Sequence, residues 1–577
     1  MPVPFLNMKF SLILLFTLML SDNIVPQTPY YFSGYPIIAD SLRSPFQKAG
    51  VPLIADIDRN GQKEIIFFTV DIFGSNLPLL HIIKSDGTNF SNFPKSFNEL
   101  ILCIASGDLN GDGYLEIILR TTNSIIVLDK DGNFSPGFPI PYSDGDVNPF
   151  KPVNLYDLDN DGTLEIITGK KNEIAVFNFK GKMKAGWPRY IAGIFQTNPA
   201  IGDIDNDGFA EIIVPSLKIL SGNVDSSSMR IFKSNGENFS SGWPVYSDSG
   251  YYNWGASPTI ILNKNNSDST MILMSTRTNA IGGISKNRLI KYNIMGEIVE
   301  IGYNSVLNGL GTLVAGDFEY DGTIEFANGN QGNPSSLSVY SNRMKKLSGW
   351  PNEGVGEHWA TPVIGKITSN TELNIAANTW TAQNPSGFGS VYAYFKDGSP
   401  LSWSPLRPTG LVNAISLSDL NNDGSVELIA LSTLTDRETY LHIWTIPGIP
   451  FTHEDFPWPQ YGHDRYRTNQ YGFIPPDEPV GIQPMNTNVP ASYNLYQNFP
   501  NPFNPATSIK FDIAKKGNVR LVVFDMLGRE LSALINESLN PGTYQVSFDG
   551  SGLSSGIYFC RLQSGDYSTT TKMNLIK

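Results

Sequence analysis

The chain of 577 residues is 41% apolar and 16% charged, which excludes a disordered protein and leaves room for more than one packed domain. Its formal net charge of −13, without any cluster of Lys and Arg, excludes nucleic acid as a partner, because phosphates call for concentrated positive charge. Cys103 and Cys560 are the only cysteines; each lies in an apolar β-like run and reads as a buried free thiol, so disulfides do not hold the fold.

Met8-Lys9-Phe10 followed by the apolar run Ser11 to Leu20 is a short basic start before a hydrophobic core. It is too short to span a bilayer, and residues 1–27 are read as a secretory signal peptide. No later stretch carries the length of apolar sequence that a transmembrane helix needs. The mature chain is therefore expected outside the cell with no membrane span.

Residues 30–471 repeat one pattern. In Asp203-Ile204-Asp205-Asn206-Asp207-Gly208-Phe209-Ala210-Glu211, carboxylates stand at positions 1, 3, 5 and 9 and Gly at 6. Oxygen ligands on alternate residues wrap a hard cation, and Gly takes a bend that a Cβ resists. The other copies are Asp56, Asp58, Asn60 and Glu64; Asp108, Asn110, Asp112 and Glu116; Asp157, Asp159, Asp161 and Glu165; Asp317, Glu319, Asp321 and Glu325; and Asp419, Asn421, Asp423 and Glu427. Carboxylates this dense repel one another unless an ion joins them. Up to six structural Ca²⁺ are therefore expected, which would nearly cancel the formal −13. An EF-hand is excluded, since no copy carries the bidentate Glu at position 12 and no helical periodicity flanks the loops.

The copies start about fifty residues apart, with two gaps of about twice that period. Within the gaps, Pro258-Thr259-Ile260-Ile261 and Ile364-Gly365-Lys366 keep the surrounding frame. Lys264, Asn266 and Thr270 in one gap, and Thr368, Asn370 and Asn374 in the other, stand where ligands belong. Both are read as units that keep their strands and lose the metal. An aromatic-Pro pair closes most units: Tyr35-Pro36, Phe93-Pro94, Phe138-Pro139, Trp187-Pro188, Trp243-Pro244, Trp350-Pro351 and Trp458-Pro459. A strand and a Gly turn precede many of these pairs. Each unit thus reads as four short antiparallel strands, the content of one propeller blade. A lone four-stranded sheet cannot bury both faces, so the units are expected to stack in a closed ring. The expected fold is an all-β, eight-bladed β-propeller, or alternatively a seven-bladed one with an irregular unit. The stretch Trp458 to Thr468 is expected to complete its closure.

These loops and turns resemble the FG-GAP/VCBS family of calcium-binding β-propellers, which includes the head of integrin α chains. The resemblance covers residues 30–471. It implies the fold more than the task, because a fold hosts many functions.

Residues 472–492 are rich in Pro and small polar residues and read as a linker. Residues 493–577 alternate in short strands, as in Val519 to Asp525 and Gly542 to Phe548, and suggest a small Ig-like β-sandwich. Four of its segments are Asn498-Phe499-Pro500-Asn501-Pro502, Asp525-Met526-Leu527-Gly528-Arg529-Glu530, Pro541-Gly542-Thr543-Tyr544 and Leu553-Ser554-Ser555-Gly556-Ile557-Tyr558. They resemble the type A C-terminal sorting domain of the type IX secretion system of Bacteroidetes-like bacteria. That resemblance implies export across both membranes, removal of the domain, and release or attachment to surface lipopolysaccharide.

Catalytic constellations are not evident. Gly552-Leu553-Ser554-Ser555-Gly556 has the spacing of a nucleophile elbow, but it lies in the sorting domain and no His follows His463, so the order Ser, acid, His is never completed. The five histidines show no zinc spacing. In the resembling propellers, partners bind on the rim opposite the metal loops. Tyr252, Trp254, Trp359 and Trp380 map there and form a candidate ligand face, able to stack on sugar rings or anchor a protein. The expected function is a secreted or cell-surface calcium-binding propeller acting as a non-catalytic adhesion or binding protein for glycans or proteins. The alternatives are a polysaccharide-degrading enzyme such as a lyase, or an accessory module of a secreted hydrolase. A lyase needs a base beside a neutralised uronate, and no Lys/Arg/His cluster supplies one.

Overall fold

The computed structural model describes residues 28–40, 47–71, 76–143, 151–195, 197–220, 223–248, 251–252, 256–262, 269–278, 287–304, 311–330, 336–353, 361–368, 372–379, 389–434, 438–476, 483–486, 490, 492–504, 506–515, 517–539, 541–550, 553–565 and 567–576. The signal-like segment, Trp254, Trp359, Trp380 and the metal-free positions Lys264, Asn266 and Asn370 lie outside them. Among the described residues the chain is all-β, with no α-helix and no helix long and apolar enough to cross a membrane.

Eight sheets precede residue 472, antiparallel except where Ile260 and Ile261 of the fifth sheet pair in parallel with Gln470 and Tyr471. Their first strands are, in chain order, Leu53–Ala55, Ile101–Gly107, Val153–Tyr156, Ala200–Gly202, Thr259–Ile261, Val314–Gly316, Val363–Gly365 and Leu411–Ser418. In the second to sixth sheets the chain goes on to a second, third and fourth strand, as in Glu165–Lys170, Glu173–Phe177 and Arg189–Tyr190. In the second and third sheets the second strands carry apolar runs, Ile117-Ile118-Leu119 and Ile166-Ile167, with both faces buried. Each sheet packs on its neighbour. Ile66 and Leu80 of the first share a cluster with Ile104 and Ile117 of the second, and Ile167 and Val176 of the third share one with Ile201 and Ile212 of the fourth. The series returns on itself, since Ile65 and Phe67 of the first sheet pack with Ile429, Leu431 and Leu441 of the eighth.

The outer positions of the eighth sheet are filled from the other end of the chain. Tyr30–Tyr31 and Ile37–Asp40 pair antiparallel with Thr439–Ile446. Tyr35-Pro36 therefore serves the last sheet, although it stands first in the sequence. Six aromatic-Pro peptides, from Tyr35-Pro36 to Trp350-Pro351, are cis, and their rings clip adjacent sheets. The indole Nε1 of Trp187, Trp243 and Trp350 donates to the carbonyls of Ser234 (3.1 Å), Ile294 (2.7 Å) and Lys396 (2.6 Å) in the Gly turn of the following sheet. The Gly ahead of the pair permits this approach: Gly349 has φ of +85°, and a Cβ there would sit 1.8 Å from the carbonyl oxygen of Asp397. Gly349→Ala is expected to cost about 1–3 kcal/mol, from the left-handed backbone and the displaced neighbour. Chemical denaturation checks it, and a loss within error would show that the clip is dispensable.

Trp458-Pro459 differs from the other aromatic-Pro pairs. Trp458 is 0% exposed and belongs to a segment, residues 455–471, that follows the first strands of the sheets. The amides of Lys366 and Ile364 donate to the carbonyls of Asp455 (2.7 Å) and Trp458 (2.9 Å), and Leu417 donates to Pro459 (2.8 Å). Ile54 donates to the Gln460 side chain at 3.4 Å. Then Ser106 donates to Arg465 (3.1 Å), Leu155 to Tyr466 (3.0 Å), Ile201 to Thr468 (3.0 Å) and Ile260 to Asn469 (3.0 Å). One short segment thus meets sheets seven, eight, one, two, three, four and five in turn. It supplies acceptors to strand edges that would otherwise be unpaired.

Beyond the Pro-rich stretch, two four-stranded sheets share a core. One contains Gln483–Asn486, Asn494–Leu495, Ala506–Ile513 and Gly542–Asp549; the other contains Gly517–Phe524, Glu530–Leu539, Gly556–Ser564 and Tyr567–Leu575. Phe511, Val546, Leu521, Cys560 and Met573 meet between them. Strand Gln483–Asn486 lies within the stretch read as a linker and pairs with Gly542–Asp549. Asn498 of the motif Asn498-Phe499-Pro500 is buried, its amide donating to Thr507 Oγ1 at 2.9 Å and to the Pro500 carbonyl at 3.1 Å. Both cysteines are free.

Candidate functional site

The six acidic loops share one backbone-locked geometry. In the Asp203 loop, the first carboxylate accepts the amides of Asp207 (3.0 Å) and Gly208 (2.9 Å), and the Glu211 carboxylate accepts the amide of Ile204 (3.1 Å). Position 1 accepts the position-6 amide in the other five loops as well, and position 9 always accepts the position-2 amide. Arg59, Asn160, Asn206, Tyr320 and Asn422 at position 4 are left-handed, with φ of 55–58°. Asn374 mimics the ninth residue in the seventh unit, its Oδ1 accepting the amide of Ile367 at 3.2 Å. The contact between positions 9 and 2 is therefore kept without an acid at position 9, and the remaining carboxylate oxygens are the part that distinguishes the six acidic copies.

Those oxygens are arranged differently from loop to loop. Asp56, Asp58 and Glu64; Asp157, Asp159 and Glu165; and Asp203, Asp205 and Glu211 each bring carboxylate oxygens within 4.8 Å of one another. In the Asp203 loop, Glu211 is 1% exposed and its Oε1 is buried without a partner, the orphaned acceptor that a cation would satisfy. In the Asp157 loop, Lys184 Nζ lies 2.6 Å from Asp159 and 2.8 Å from Glu165. In the Asp317 loop, Lys396 reaches over from the seventh sheet to Glu319 (3.1 Å) and Glu325 (3.2 Å). In the Asp108 and Asp419 loops the Asn amides turn inward, Asn110 toward Asp112 and Glu116, and Asn421 toward Asp423. The nine-residue pattern predicts six equal sites; lysines from outside the pattern divide them, and no local signal marks those lysines.

Burial sets the electrostatics. It pushes the carboxyl of Glu211 up to about 9, those of Glu64 and Glu427 to about 8, and those of Glu116 and Glu165 to about 7. Asp56 rises to about 6 for the same reason. Without a cation, Glu64, Glu211 and Glu427 therefore favour the protonated form at neutral pH.

On the same rim, a cavity of about 360 Å³ opens between the loops and the 455–471 segment, lined among others by Lys63, Asp317, Tyr320, Phe451, His453 and Glu454. Its wall is internally bonded: Tyr320 donates to Asp455 at 2.7 Å, and Lys63 donates to Ser418 Oγ at 3.2 Å while lying over the Phe451 ring. His463 and Asp464 pair at 3.1 Å, and Asp464 also accepts the Tyr466 amide at 2.8 Å. This makes Asp464 the organiser of a turn. Of the candidate ligand face, Tyr252 lies in strand Tyr251–Tyr252, paired with Arg277; its three tryptophans lie outside the described residues.

Comparison with known families agrees with this layout. The FG-GAP-like repeat matches residues 108–168 and 157–214, and the secretion system C-terminal sorting domain matches residues 497–577. No characterised protein sequence matched. Among solved structures, the Vibrio cholerae biofilm matrix protein Bap1 is similar at 12% identity over 75% of this chain and 94% of its own, with a TM-score of 0.39. The WD40 domain of SCAP from fission yeast is similar at 12% identity over 72% and 97%, with a TM-score of 0.36. PorZ, a surface component of the type IX secretion system of Porphyromonas gingivalis, is similar at 9% identity over 94% and 100%, with a TM-score of 0.20. The chain thus carries FG-GAP-like repeats and a C-terminal type IX secretion sorting domain, and is hence a secreted or cell-surface protein of a Bacteroidetes-like bacterium.

Proposed function

We propose that the eight sheets form a closed, eight-bladed, calcium-stabilised propeller that acts outside the cell as a non-catalytic binding protein for glycans or proteins. The observation that carries this reading is the 455–471 segment, which meets the first strands of seven sheets in sequence and in a closed ring would fill the place where propellers otherwise leave a central channel. A ring with its axis so filled would leave its blade flanks and rims to meet a partner. Ring closure is supported by the apolar cluster shared between the first and eighth sheets and by the N-terminal strands on the eighth.

Calcium suits the loops because their oxygens are hard, alternate along the chain and sit on a preformed turn. Asp203, Asp205, Asp207 and Glu211 would hold the ion best, given the orphaned Glu211 oxygen; its charge would fasten the first strand of a blade to the second. The ammonium of Lys396 stands in for the cation at the Asp317 loop. Lys396→Met is accordingly expected to raise the number of Ca²⁺ bound per chain by one, counted by calorimetry or terbium luminescence. An unchanged count would show that Lys396 does not compete.

The function is tested by screening the purified protein on glycan and protein arrays, and for turnover of acidic polysaccharides, with and without chelator. Saturable binding without turnover supports the reading. Turnover of a polysaccharide would replace it with the lyase alternative.

A further inference from the structure

We infer that the groove between the third and fourth sheets binds an acidic polysaccharide through Arg189 and Arg230, with Tyr190 as the platform for a sugar ring. This rests on the reading of the protein as a glycan binder and names the ligand class and the place. The groove encloses about 500 Å³ and is lined by Arg189, Tyr190, Arg230, Phe232, Glu237 and Asn238, among others. Neither arginine forms an ion pair among the described residues, and the Nε of each is buried without an acceptor. The groove's one carboxylate, Glu237, is engaged by the Asn235 amide at 3.2 Å.

The arginines depart from what the repeat does at the same positions elsewhere. Where the residue after the aromatic-Pro pair is polar in two other units, it bonds across the sheet interface: Lys95 donates to the Gly132 carbonyl at 2.6 Å and Asn352 to the Gly398 carbonyl at 2.9 Å. Arg189 occupies the equivalent place after Trp187-Pro188 and makes no such bond. Arg230 lies two residues before Phe232, which bridges to Asn238; the matching positions before Ile83, Leu128, Phe177, Tyr340 and Tyr394 hold His81, Ile126, Ala175, Ser338 and Tyr392. Only this groove, among those described, combines two unpaired guanidinium groups. In a chain of net charge −13, two arginines kept free of the many carboxylates are best matched by an external anion, which planar guanidinium groups grip in a bidentate manner.

The neighbouring surface suits a polymer. Tyr190, Tyr246 and Tyr303 are 71%, 60% and 66% exposed and hold the same register on the outer strands of three consecutive sheets, opposite Glu173, Ser228 and Arg288. One exposed aromatic ring per blade offers repeated stacking for successive sugars, and aromatic platforms combined with charge give both affinity and selectivity.

The test is calorimetric titration of the full chain with polygalacturonate, dextran sulfate, uncharged dextran and polyglutamate. Binding to polygalacturonate or dextran sulfate but not to dextran is expected, weakening as salt is raised; the two anionic glycans tell carboxylate from sulfate. Arg189→Met and Arg230→Met should each weaken it at least about tenfold. Tyr190→Ala, an exposed position that folding tolerates, should weaken it less but measurably. Glycan binding by the parent chain that none of the three variants alters, with melting temperatures unchanged, would overturn the groove and leave the glycan-binding reading standing. Binding to no glycan would overturn both. Equal affinity for polyglutamate would overturn the glycan assignment and favour an acidic protein segment.

Discussion

Replacing Trp458 with alanine is expected to lower the stability of the propeller by about 3–5 kcal/mol, the cost of deleting a fully buried aromatic side chain. Trp458 is packed among Val314, Ile364 and Leu373, and its carbonyl holds the Ile364 amide. The effect should reach beyond this contact, because the residues that follow serve the other sheets in order. Arg467 illustrates the coupling: it is buried, and its Nε donates to the Ile104 carbonyl at 3.2 Å on a sheet far away in sequence. Amide exchange is therefore expected to rise at Leu417, Ser106, Leu155 and Ile201 together when the segment is loosened, since unpaired strand edges open readily. A denaturation midpoint shifted by less than the equivalent of about 1 kcal/mol, with exchange confined to the seventh sheet, would show that the segment is a local packing element rather than a common tie.

Removing calcium is expected to destabilise the protein far more at pH 8 than at pH 5. Glu64, Glu116, Glu165, Glu211 and Glu427 all have carboxyls raised by burial above the ordinary 4.5, up to about 9 for Glu211. A group raised in the folded state binds its proton more tightly there than in the unfolded chain. Its contribution is fully present below 4.5 and is lost as pH rises through the folded value. The chelated protein should therefore weaken steadily from about pH 5 to pH 9, while Ca²⁺ restores the loss by neutralising the same oxygens. Melting temperatures with chelator and with Ca²⁺, measured across that range, check the sign; parallel curves would remove calcium from these loops. Glu211→Gln separates the two effects. Without its charge the chelated protein should melt higher at pH 8, and calcium should then add less.

Much of this organisation was legible in the residues because it is local. A nine-residue loop needs Asp at position 1 for two amides, Gly at 6 for the bend and an acid at 9 for the amide of position 2, and each demand leaves a mark in the sequence. The Gly turns and aromatic-Pro pairs are of the same kind. The differences among the six loops were not legible in the sequence, because Lys184 and Lys396 reach the carboxylates from other strands and, for Lys396, from another sheet. Tyr35-Pro36 and Trp458-Pro459 looked like copies of one turn, yet the first closes the eighth sheet and the second lies in the segment along the first strands.

By itself, then, the sequence determined the strand repeat, the acidic loops and the sorting domain, all properties set by neighbours within about fifty residues. The tertiary structure alone decided that residues 455–471 feed the strand edges of seven sheets, that two lysines occupy acidic loops, and that Arg189 and Arg230 are left facing one groove. Each of these joins residues whose separation in the chain carries no period, so only the packing of sheet on sheet brings them together.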